Sequence, residues 1–188
     1  MKRLIFGSLS ILLLSSVVKS PITAEAIGAK NLIAKHSSIA QILLAQEQIS
    51  SLVLTAIADD GIPEGLTQEK WLAAKGEVSV SPVKDDSYTV TLKASNLVPN
   101  GLYTFWWVNK KLVGMDMGPA GGTPANEFRA DNNGNAIATI TVPADNNYQT
   151  LAVAYHADNQ THGQMPGEMG KVTFTHLMGD FPKPTSVR

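Results

Sequence analysis

From residue 49 onward the sequence is a series of short β-prone runs separated by clusters of Gly, Pro, Asn and Asp. The runs are "ISSLVLTAI", "GEVSVSPV", "SYTVTLKAS", "NLVPNGLYTFWWV", "AIATITVPA", "YQTLAVAYH" and "KVTFTHLM". Their period is two: in the third, Tyr88, Val90 and Leu92 alternate with polar residues, as a half-buried strand requires. The fourth carries an Asn100-Gly101 turn and then an aromatic, strongly β-prone stretch. Loop formers fill the gaps, in "ADDGIPEG", "GMDMGPAGGTPANEF" and "ADNNGNA". The clearest helical signal in this region is "TQEKWLAAKG", one or two turns with Thr67 as N-cap and Gly76 just past the end. Seven to eight such strands bury their apolar faces best as two packed antiparallel sheets. The expected fold is therefore all-β, an antiparallel β-sandwich over residues 49–181 with a short helix near its start and a tail at 182–188.

The N-terminus has a different texture. Lys2 and Arg3 precede an apolar run from Leu4 to Val18 that falls short of the roughly 18 residues of a membrane span, and Ala24-Glu25-Ala26 supplies a small-x-small cleavage site. Residues 1–26 are expected to be a signal peptide, and the alternative is an uncleaved anchor. Residues 27–48 then form a linker or short helix, with Leu32, His36, Ile39, Ala40 and Leu43 on one helical face. The expected address is exported, either periplasmic or extracellular, with no membrane span after signal removal. Cysteine is absent, which excludes disulfides, thiolate zinc sites and thiol nucleophiles. Without Lys2, Arg3, Lys19 and Glu25, the 15 basic and 16 acidic residues of the chain become 12 and 15. That slight acidity gives no electrostatic reason to bind nucleic acid.

The pattern Leu97-x-Pro99-x3-Tyr103 resembles the tyrosine corner of fibronectin type III and other immunoglobulin-like sandwiches. There the tyrosine hydroxyl bonds backbone upstream while its ring fills the core edge. The wider order, from "YTFWWV" through "EFRADNNGNA" and "LAVAYH" to the Pro-Gly pair, is similar to the C-terminal extracytoplasmic domain of the anti-sigma-K factor family. This resemblance implies an immunoglobulin-like sandwich and an extracytoplasmic address. It implies no catalytic residues. The chain shows no sigma-binding region, so control of a sigma factor is not among the implications.

The segment Tyr155–Met178 holds three of the four histidines and three of the six methionines. Imidazole and thioether are ligands for soft metals, and methionine selects Cu(I). The candidate set is His162, Met165, Met169, His176 and Met178, with a copper ion as the implied cofactor. Period two places Val172, Phe174, His176 and Met178 on one inward face, and the bland alternative is that Met178 is core filler and His176 a hydrogen-bonded interior residue. His156 is expected to point outward, because Leu151, Val153 and Tyr155 share the core face. An enzymatic reading would use His156, Asp158, His162 and Glu168 as base, orienter or hydrolytic metal ligands, but no Gly-x-Ser-x-Gly, His-Glu-x2-His or phosphate-loop motif accompanies them. Asp131, Asn133 and Asn135 alternate as calcium ligands do, yet Gly134 and Val142 fall at the wrong positions, and a hairpin turn at Asn133-Gly134 between two strands is the better reading. Trp106 and Trp107 must face opposite ways in a strand. One is core and the other, with Met115 and Met117 nearby, offers a binding surface unless the 114–127 loop covers it. The sequence thus points to an exported non-enzymatic binding or structural module, without a cofactor, for an unknown protein or small-molecule partner. The alternative is a periplasmic or extracellular copper-binding protein.

Overall fold

The computed structural model describes residues 50–182. The expectations for residues 1–26 and 27–48, and for the tail beyond 182, lie outside the described residues. Within them the order is β1 (Ser50–Ala56), α1 (Gln68–Leu72), β2 (Lys75–Val80), β3 (Ser87–Ser95), β4 (Leu102–Lys110), β5 (Met115–Pro119), β6 (Glu127–Arg129), β7 (Ala136–Pro143), β8 (Thr150–His156) and β9 (Thr173–Asp180). Each of the seven β-prone runs contains a strand. Two further short strands, β5 and β6, come from the Gly/Pro-rich loop, so the count is nine rather than seven to eight. Both pair with the same edge of β4, β6 along Leu102–Thr104 and β5 along Trp106–Lys110. A long partner strand supplies the order that their own sequences lack.

The strands are antiparallel and belong to one sheet, in the order β5-β4-β8-β9-β1-β2-β3-β7 with β6 beside β5 on β4. The sheet is curled. Its inner face joins Val78, Val90, Leu92 and Ile140 from one half to Phe105, Trp107, Leu151 and Leu177 from the other in a single core. The curl brings the chain after β5 against β7, where a Cβ on Gly121 would lie 2.9 Å from Ile140 Cβ.

Thr67 caps α1 as expected: its side chain accepts from the Lys70 N–H at 3.3 Å. The helix is shorter than the sequence suggests and ends at Ala73, because Lys75 and Gly76 pair with both β1 and β3. Gly76 belongs to the sheet, where a side chain would meet Leu92, Leu177 and Leu54. Among the described residues no helix is long and apolar enough to cross a membrane. The turn at Asp131–Asn135 is built as a turn, with one Asp131 carboxylate oxygen accepting the Asn133 and Asn135 N–H groups at 2.8 Å each. It is not a hairpin, since β6 pairs with β4 whereas β7 pairs with β3.

Candidate functional site

In β9 the period-two assignment fails at one point. Val153 of β8 pairs with Leu177, but Ala154 pairs with Thr175, so His176 is the extra residue of a β-bulge. His176 and Leu177 therefore both face the core, and Met178 is turned onto the outer face beside Trp106. His176 and Met178 do not share a face, contrary to the expectation from simple alternation. The imidazole lies flat on Trp71, with ring centroids 3.6 Å apart. Its Nε2 is 2.9 Å from the Trp71 carbonyl, which only accepts, so Nε2 carries the proton. Nδ1 then accepts from the Tyr103 hydroxyl at 3.1 Å, and that hydroxyl in turn accepts the Val98 N–H at 2.9 Å. The upstream backbone bond expected of Tyr103 is present. Both nitrogens of His176 are engaged inside the core, and Met178, its expected partner in a metal site, lies on the opposite face of the sheet. Burial pulls its pKa down to about 4, against a smaller upward effect of the Trp71 carbonyl.

His156 does point to the outer face, as the sequence implies, yet it is buried there beneath the 157–172 loop. Thr173 donates to the Pro166 carbonyl, so its oxygen accepts from His156 Nδ1–H at 3.2 Å. Nε2 accepts from the Thr104 hydroxyl at 2.7 Å, and Thr104 accepts the indole N–H of Trp106 at 2.7 Å. This relay runs from Trp106 on β4 to Pro166 in the loop, and it ties the loop to the sheet. Burial pushes the His156 pKa down and so does neighbouring His162, while Asp158 and Glu127 pull it the other way.

The outer face of this half of the sheet carries an apolar groove of about 280 Å³. Its floor follows from register: Trp106, Ala152 and Met178 are direct neighbours across β4, β8 and β9. A small residue between two large ones leaves a depression. Met115 and Met117 of β5 form one wall, and Pro166 and Met169 of the loop another. Asp59, Asp60 and Lys110 also line the groove. A larger and more open cleft of about 770 Å³, lined by Trp107, Tyr148, Asp86, Asp116 and Asp145, is more polar.

The candidate residues thus regroup. Trp106, Met115, Met117, Met169 and Met178 converge on the groove, although the sequence assigned them to two different sites. Trp107 faces the core, stacked with Tyr148 and edge-on to Phe181. Met165 is 67% exposed and lies outside the groove. His162 pairs with Asp158 at 3.1 Å, and Glu168 is an exposed partner of Lys171. The cover over Trp106 comes from Met117 and Met178 packed against it. Ala152, Ala154 and Pro166 were missed; the small outer residues of "LAVAYH" were the available signal. No protein-family model matches the sequence, and no curated protein matches it.

Proposed function

We propose that this chain is an exported, non-enzymatic binding module whose groove takes a small apolar molecule. The observation that carries this reading is the in-register row Trp106–Ala152–Met178, walled by methionines from β5 and the 157–172 loop. Four thioether side chains give an adaptable apolar lining. The volume of about 280 Å³ lies just below the roughly 300–1,000 Å³ of small-molecule pockets, which favours a small ligand over an extended one. The basic n-region and apolar run at residues 2–18 support export. The curled antiparallel sheet and the Tyr103 hydroxyl bond to Val98 support an immunoglobulin-like sandwich. The non-enzymatic reading is supported by His176, whose ring nitrogens hold the Tyr103 hydroxyl and the Trp71 carbonyl inside the core.

Titrating indole and cyclohexanol into protein carrying 13C-methyl methionine tests the reading. The Met115, Met117, Met169 and Met178 signals should shift together and saturably, while exposed Met165 stays still. Four unmoved signals would remove the groove as a ligand site. The same four thioethers favour a second reading, Cu(I) binding, on residues partly different from those the sequence selected. Cu(I) under reducing conditions would then move these four signals at one equivalent, and the apolar compounds would not.

A further inference from the structure

We propose that His156, Asp158 and His162 form a second site, for a borderline divalent cation of the Zn²⁺ type. β8 ends at His156, and the chain turns at once through Asn159, whose φ is 58°. Asp158 and His162 thereby return to the end of the strand. One ligand atom from each of the three residues lies within 4.8 Å of the others, and Asp158 Oδ2 is already 3.1 Å from His162 Nε2. Tetrahedral coordination at about 2.0–2.1 Å separates donors by roughly 3.4 Å, so closure on an ion needs a shift of little more than about 1 Å.

Two independent features show that these side chains are held in place. The first is Gly167, at φ +89°, on which the His162 ring rests. A Cβ there would lie 2.5 Å from His162 Cδ2 and 2.9 Å from Nε2, so only glycine leaves room for the ring. The second is the His156 tautomer. Its proton is on Nδ1 and is donated to Thr173, which is anchored on the Pro166 carbonyl. The lone pair is on Nε2. Coordination there would replace the Thr104 hydrogen bond and keep the Nδ1–H bond that orients a metal-bound imidazole. Asp158 is oriented as well, since its other oxygen accepts the Gln160 N–H at 3.1 Å.

The donor chemistry selects the ion. Two imidazoles and one carboxylate suit Zn²⁺ and its first-row neighbours; Ca²⁺ and Mg²⁺ prefer oxygen alone, and Cu(I) prefers thioethers. Glu127, held by the Thr161 hydroxyl at 3.1 Å, adds negative charge beside the site.

Cobalt(II) provides the test, with Zn²⁺ as competitor. Titrated into the purified chain, Co²⁺ should give visible ligand-field absorption that saturates at one ion per chain and is displaced by Zn²⁺. His162→Ala and Asp158→Asn should each weaken Co²⁺ binding at least about tenfold, and Gly167→Ala, which displaces the His162 ring, should weaken it too. Ile137→Ala, on the outer face of β7, should bind as the parent does. His156 itself is avoided, because its loss would also break the relay that holds the loop. Absence of saturable absorption would overturn the site. So would retention of parental affinity by folded His162→Ala and Asp158→Asn, which would place the ion elsewhere on the chain.

Discussion

The two halves of the sheet use their outer faces differently. In β7 buried and exposed residues alternate strictly along "AIATITVP", and β2 and β3 follow nearly the same rhythm. One face makes the core and the other meets water. In β4 every residue from Leu102 to Val108 is buried, and β8 is buried at all but Tyr155. There the outer face is a second apolar surface, roofed by methionines and by the 157–172 loop. A one-sided strand contributes only packing. A two-sided strand also builds a second apolar surface beneath its cover, and the groove, the relay and the His156–Asp158–His162 cluster all lie on that half.

The sharpest test of this contrast is a pair of outer-face truncations. Trp106→Ala should cost about 3–5 kcal/mol, because it empties the covered face and removes the indole N–H that the Thr104 hydroxyl accepts. Ile137→Ala on the outer face of β7, where the side chain is 75% exposed, should change stability by no more than about 0.5 kcal/mol. Urea denaturation of both variants reads the difference, and equal losses would abolish the distinction between the halves.

A smaller effect follows from the histidines, both of which are buried in the two-sided half. The His176 pKa is lowered from 6.5 to about 4, so above pH 6.5 neither state binds the proton and the contribution is complete. As pH falls from 6.5 the unfolded chain takes up a proton that the folded chain refuses, and stability declines until about pH 4. The loss should total about 3 kcal/mol, at 1.36 kcal/mol per pKa unit. Urea midpoints measured from pH 7.5 to 4 should show it, and His176→Leu, weaker at neutral pH, should have a shallower slope. Tyr103→Phe should give a smaller loss than Trp106→Ala, about 1–3 kcal/mol, since it leaves the Val98 N–H and His176 Nδ1 without their shared partner. An unchanged midpoint would show that the hydroxyl is dispensable to the core.

The seven longer strands were legible because alternation and turn residues are local properties. β5 and β6 were not, since "MDMGP" and "EFR" become strands only through pairing with β4. Trp106, Met115, Met117, Met169 and Met178 could each be singled out as unusual. Their convergence depends on β4, β8 and β9 lying side by side, a tertiary fact that no periodicity encodes. His176 was misplaced relative to Met178 because a bulge shifts phase without a residue type that announces it. His156 was assigned the correct direction, but its burial was not legible, since a strand pattern cannot show what a following loop will cover.

The extra residue in β9 has a consequence for insertions and deletions. Removing one residue from a regular strand exchanges the faces of everything after it. Deleting His176 would instead leave Thr175 and Leu177 opposite Ala154 and Val153, in ordinary alternation. Phe174 and Leu177 would still point inward and Met178 outward. The stack on Trp71 and the bond to Tyr103 would be lost, but the reading frame of the sheet would survive. A histidine gained at this position by a one-codon insertion could therefore enter the core without any compensating change downstream.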